Sequence, residues 1–165
     1  MDFVHIELKR DTWIQPVMKV QTPDEAVEAV QKLIENLDRE ELVCIYLATS
    51  GRVINAAVCS IGAMDQSVVS PAEIIRTALV TGAKSMILLH NHPSGQVNPS
   101  KEDFLATRRI ACAGKLVGIH LLDHIVVGEY GARFSMKENR AELFEIQKDM
   151  DFSLIAAERN VEDEK

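Results

Sequence analysis

Met86-Ile-Leu-Leu-His-Asn-His-Pro-Ser-Gly95 joins a continuous apolar run to two histidines and a turn. Four apolar residues in succession, without polar alternation, predict a central strand covered on both faces. His90 and His92 follow at i and i+2, and in extended chain such residues project to the same side. Both imidazoles can therefore reach one metal ion from a backbone that the buried strand holds rigid. Pro93 and Gly95 then turn the chain sharply, which lets a later helix bring back a third ligand.

That helix is expected from about Ser100 to Ala113, with Gly114 as its stop. Asp103 lies in its first turn and is the natural third ligand. Ser100 and Asp103 also satisfy an S-x-x-D capping signature, and capping alone would explain both. It does not exclude ligation if Asp103 gives up its cap to the metal. Two imidazoles and a carboxylate leave a fourth position open for water, whose pKa zinc lowers towards ~7. The same set suits non-haem iron; the H-x-H spacing and a nearby acidic residue favour zinc.

Working upstream, Ser70, Pro71 and Glu73 read as a capping box opening a helix that Gly82 stops. Val53 to Ile61 and Glu41 to Leu47 read as strands of an antiparallel hairpin around Thr49-Ser-Gly51. Thr22, Pro23 and Glu25 open an earlier helix, whose apolar residues recur at helical spacing as far as about Leu37. Phe3 to Leu8 and Trp13 to Val20 are expected as strands, with Pro16 keeping the second at an edge. Downstream, Ile119 to Val127 is a further strand and Arg133 to Met136 a short one, and the remainder from Lys137 is expected to be helical and peripheral. The pattern is an α/β sandwich with a mixed sheet.

Composition narrows the function classes. The chain has 165 residues and a net charge of −7, which argues against a protein that coats nucleic acid, because such proteins displace counterions with a basic patch. Arg108-Arg109 is the nearest approach to one and reads as a solvated helix face. No run approaches the ~20 apolar residues of a spanning helix, and no signal-like stretch opens the chain, so no membrane association and a cytoplasmic address are expected. Cys44, Cys59 and Cys112 have no CxxC spacing and read as buried small hydrophobes in a reducing compartment.

His90-x-His92, seven residues, Ser100, two residues, Asp103 resembles the JAMM motif of the JAB/MPN metallopeptidase superfamily. The fuller string HNHPSGQVNPSKED, with LLDHIVVG at Leu121 to Gly128, closely resembles the RadC-like branch, over about Arg39 to Gly131. The resemblance implies a three-layer α/β sandwich of the JAB/MPN, cytidine-deaminase-like fold. Residues 39–136 would form that domain, 1–38 an N-terminal extension with one helix packed on the core, and 137–165 a C-terminal helix and acidic tail. It implies one zinc ion on His90, His92 and Asp103, with Ser100 stabilising an oxyanion.

It also calls for an upstream glutamate as general base. Glu41 is chosen, because RadC-like chains carry an acidic residue just before the apolar strand that Leu42 begins. Glu40 is the adjacent rival, and a one-residue slip sends the side chain to the opposite face. Glu73 ranks lower, since the N3 position of a cap explains it. Asp123-His124 invites a second-site reading, but a neutral histidine buttressing the site is preferred. Asn91 should face away from the ligands and tie down backbone.

The expected activity is zinc-dependent hydrolysis of an amide bond in a peptide or protein substrate. Two alternatives stand beside it: a DNA-repair or mobile-element accessory of the RadC type, and a non-catalytic interaction module stabilised by metal. The residues before Glu41 lack a helix-hairpin-helix pattern, so direct DNA binding is not expected. An exposed N-terminal strand could pair two copies into a homodimer.

Overall fold

In the computed structural model, which describes Lys9 and residues 19–34, 37–61 and 70–149, the apolar runs become one mixed five-stranded sheet. Its strands are β1 (Glu41–Leu47), β2 (Val53–Ile61), β3 (Ser85–Asn91), β4 (His120–Val127) and β5 (Arg133–Ser135), in the order β2-β1-β3-β4-β5. β1 runs antiparallel to both β2 and β3, β3 and β4 are parallel, and β5 closes antiparallel on β4. β3 is thus the central strand, and six of its seven residues are buried. A strand without polar alternation needs cover on both faces, and it has it.

One face carries α1 (Pro23–Ile34), whose Ala26, Val30 and Ile34 pack on Val43, Ile45, Ile87, Leu89 and Ile125. The other carries α2 (Pro71–Thr81), α3 (Lys101–Leu116), α4 (Met136–Asn139) and α5 (Glu142–Asp149). There Ile74, Ile110, Met136 and Phe144 meet Leu42, Cys44, Tyr46, Met86 and Leu88. The result is a three-layer α/β sandwich. Thr22 caps α1 as its sequence demands: its Oγ1 accepts from Glu25 N at 3.2 Å, and the Glu25 carboxylate returns to the Thr22 N–H at 3.0 Å. All three cysteines are free, with Cys44 buried and the others partly so.

Several elements differ from expectation. At α2, Ser70 is the N-cap but its hydroxyl makes no cap bond; Glu73 instead pairs with Arg76 one turn on, at 2.9 Å. α3 runs through Gly114 to Leu116. A Cβ at Gly114 would lie 2.4 Å from the Ile119 carbonyl oxygen and 3.0 Å from Met86 Cε, so this glycine serves close packing inside the helix, and Gly118, at φ +73, makes the turn. α5 is not peripheral, because Leu143 and Phe144 are buried in the core.

The described part of α1 ends at Ile34, while Leu37 lies beyond it and packs on the same core. The strand expected at Phe3 to Leu8, most of that at Trp13 to Val20, and the acidic tail lie outside the described residues. Val20 itself is buried, and its N–H donates to Gly51 O at 3.0 Å. Among the described residues, no helix is long and apolar enough to cross a membrane.

Candidate metal centre

The parallel pairing of β3 with β4 brings Asp103 back to the histidines. Parallel neighbours need a crossover, and here the crossover is α3, which starts beyond the end of β3 where the histidines lie. Its first turn returns Asp103 to them. Glu40, His90, His92 and Asp103 each offer one ligand atom, all within 4.8 Å of one another. His90 Nε2 stands 3.0 Å from His92 Nε2, 3.5 Å from Asp103 Oδ1 and 3.9 Å from Glu40 Oε1. The side chains of His90 and Asp103 are closed off from solvent, at 0% and 1% exposure, while His92 and Glu40 keep 17% and 18%. The cluster has a dry floor and one open side.

The structure brings Glu40, not Glu41, into this group. Register explains it. Leu42 of β1 lies opposite His90 of β3, and Glu40, two residues before Leu42, continues on the same face. Glu41 belongs with Val43 and Ile45, on the face that α1 covers. Asn91 makes the placement firm. Its Oδ1 accepts from the Glu41 N–H at 2.8 Å, and its Nδ2 donates to the Arg39 carbonyl at 2.9 Å. One buried amide thus holds both peptide groups that flank Glu40. Asn91 faces away from the cluster and ties down backbone, as expected, and the backbone it holds is that of the fourth cluster residue.

Asp103 divides its two oxygens between two tasks. Oδ2 accepts from Ser100 N at 2.7 Å and Ser100 Oγ at 2.6 Å, while Asp103 N donates to Ser100 Oγ at 3.1 Å, a complete capping box. Oδ1 is buried without a hydrogen-bond partner, and it faces His90 Nε2. The cap therefore survives with one oxygen left over, and no exchange between capping and ligation is required. His92 Nδ1 lies 2.7 Å from the Gln96 carbonyl, which can only accept, so the proton sits on Nδ1 and Nε2 presents a lone pair. A buried acceptor without a donor is costly, and a divalent cation is the group that suits several at once. Ligands at ~2.0–2.2 Å from zinc stand a little over ~3 Å apart, close to the separations of His90 Nε2 from His92 Nε2 and Asp103 Oδ1. The residues fit a metal ion.

His124 lies beside Leu88 on β4, and its Nε2 is 2.8 Å from His90 Nδ1. Its Nδ1 is 2.6 Å from Thr107 Oγ1, which is 2.6 Å from the Asp103 carbonyl oxygen. Burial presses the His90 pKa down to about 4, with Asp103 pulling it up and His92 pushing it further down. Burial likewise holds His124 well below the ordinary histidine range, helped by His90 and His92. Asp123 is no second-site ligand. It accepts from Ser135 Oγ at 2.6 Å, the His124 N–H at 2.7 Å and the Lys137 N–H at 2.9 Å, joining β4 to the start of α4. Burial raises its pKa against those three bonds.

The turn after His92 rests on Gly128. A Cβ there would meet the Gly95 carbonyl oxygen at 2.4 Å and Val97 Cγ1 at 2.7 Å. Gly128→Ala is expected to cost about 1–3 kcal/mol, as overpacking does, and to weaken metal binding by shifting the segment that carries His92. Urea denaturation and a zinc competition titration read the two effects, and unchanged values in both would remove this role for Gly128. Beside His92 a cleft of about 480 Å³ opens between Val27, Gln31 and Ile34 of α1 and the 128–131 segment.

The family model for the RadC-like JAB domain matches residues 20–141. Among curated proteins, the chain is 43% identical over 120 residues to a UPF0758 protein of Rubrobacter xylanophilus, covering 73% of this chain and 52% of that one. It is 41% identical over 132 residues to one from Shouchella clausii, with 79% and 56% covered. A Methanosarcina mazei relative of the same name is 35% identical over 124 residues, with 75% and 54% covered. The chain thus spans about half the length of the curated relatives it matches.

Proposed function

Because the chain belongs to the RadC-like JAB domain family, we propose that it is a zinc-dependent hydrolase acting on an amide bond, of peptide or isopeptide type, in a protein or peptide substrate. The observation that carries this reading is the buried, partnerless Asp103 Oδ1 at 3.5 Å from His90 Nε2, with His92 in the same cluster and a carboxylate on the open side. A purely structural zinc site is closed by four ligands and needs no such base. His90, His92 and Asp103 would hold the zinc ion, which would supply Lewis acidity towards water and a carbonyl oxygen.

The residues divide the remaining work. Glu40 takes the proton from the attacking water and passes it to the departing amine. Its carboxylate sits at the open side of the cluster, and Asn91 keeps it there. Ser100 donates to the substrate carbonyl oxygen as negative charge builds on it. Ser100 is exposed at the start of α3, and its hydroxyl must swing from Asp103 Oδ2, which keeps the Ser100 N–H as a partner. The cleft beside His92 has the size of a small-ligand site, room for a substrate residue flanking the scissile bond.

The test is zinc-dependent hydrolysis. Purified protein carrying one zinc per chain should cleave members of a mixed peptide and isopeptide library, lose that activity on chelation, and recover it with zinc. Protein that acquires no metal on reconstitution, or that holds zinc and cleaves nothing across the library, would overturn the proposal.

A further inference from the structure

His124 and Thr107 touch no substrate and offer no ligand, yet both are buried completely against His90 and Asp103. We infer that they are positioning residues that fix the tautomer of His90, keeping its Nε2 free of a proton before any ion arrives. The role of His90 as a ligand rests on the reading above; the tautomer itself does not.

The direction of the hydrogen-bond chain follows from its far end. The Asp103 carbonyl oxygen can only accept, and Thr107 Oγ1 lies 2.6 Å from it, so the hydroxyl proton goes there. Met136 Sδ, 3.2 Å from the same hydroxyl, is also only an acceptor. With its proton so placed, Thr107 Oγ1 accepts from His124, whose Nδ1 must carry the hydrogen across 2.6 Å. A neutral imidazole protonated on Nδ1 has a lone pair on Nε2. That lone pair stands 2.8 Å from His90 Nδ1, which must therefore donate. His90 Nε2 is left as a lone pair pointing at His92 and Asp103.

The reverse chain fails at its far end. It would set two oxygens 2.6 Å apart with no proton between them. The helix that supplies Asp103 as one ligand thus sets the proton on another through its own main chain. Partners of this kind commonly change metal affinity by 10–100-fold when removed.

The experiment reads the tautomer directly. In metal-free protein with ¹⁵N-labelled histidine at pH 8, long-range ¹H–¹⁵N correlation should show His90 with its proton on Nδ1. Thr107→Val, close in shape but without a hydroxyl, should give a mixture or the Nε2–H form, and zinc affinity should fall about 10–100-fold. Thr107→Ser should restore both. Nε2–H on His90 of the wild type overturns the inference, and this outcome does not depend on any variant folding. An unchanged tautomer in folded Thr107→Val overturns it as well. A wild type that shows Nδ1–H but takes up no zinc supports the inference while overturning the hydrolase reading.

Discussion

Glu40→Gln is expected to lower amide hydrolysis by about 10²–10⁴-fold while the protein still binds one zinc, and Glu41→Gln to change neither. The two residues are neighbours with the same side chain, so composition and local charge hardly differ between the variants. What differs is the face of β1. The Glu40 carboxylate lies 3.9 Å from His90 Nε2, whereas Glu41 follows the alternation that turns Val43 and Ile45 towards α1. Glutamine keeps the shape of Glu40 and cannot take up a proton at neutral pH, so the loss should fall on kcat. Kinetics on any amide substrate that the zinc-loaded protein turns over, with metal analysis of the same samples, checks the pair. Loss of turnover in Glu41→Gln with Glu40→Gln intact would reverse the assignment.

Replacing a ligand should remove the ion altogether. In His92→Ala and Asp103→Asn, zinc content is expected to fall from about one per chain to near zero, and stabilisation by added zinc should vanish with it. For the wild type, free zinc at a hundred times Kd adds about 2.7 kcal/mol of stability, which for a chain of this size raises Tm by roughly 6–10 °C. Asparagine is chosen at 103 because its Oδ1 can still accept from Ser100 and cap α3, while its NH₂ is a donor and no ligand. His92 is only partly buried, so its removal leaves no sealed cavity in the core. Calorimetry with and without zinc, beside elemental analysis, decides the matter. A wild-type zinc response in His92→Ala would exclude it as a ligand.

The clustering of His90, His92 and Asp103 was legible in the sequence because its geometry is local. An apolar strand aims His90 and His92, Pro93 and Gly95 turn the chain, and an S-x-x-D cap places Asp103 in the first turn of the next helix. The strand boundaries of β1 and β2 were equally readable, since runs of apolar residues end there in a turn signal. Glu40 was not readable with certainty. Its face depends on which residue of β1 lies opposite His90, and on an amide fifty residues downstream that bridges the peptides on either side of it.

His124 reads from the sequence as a buttress of the site, but alternation alone does not show which face it takes. Leu121 and Val126 face the same core layer although five positions separate them, which strict alternation forbids. A register irregularity between Met86 and Ile87 of β3 leaves Leu122 of β4 without an opposite residue, and Leu122 is exposed. That extra residue turns His124 towards His90 and Asp123 away from it, as bulges near sites do. Without the bulge, the period-two reading would put the carboxylate on the ligand side. The Gly114 misreading has a similar origin: a glycine near a helix end reads as a stop, and only tertiary packing shows that a neighbouring strand needs the space.

The cap at the start of α3 has one more consequence, in the order of assembly. Ser100 and Asp103 complete it with atoms of the chain alone, so Asp103 is seated by folding, with an oxygen to spare. In proteins whose ligands are gathered only by the metal, the ion is part of the folding nucleus and a chelator denatures the chain. Here an ion would meet a finished native state. It would then slow departure from that state without speeding the approach to it, and the metal would be a matter of lifetime rather than of folding.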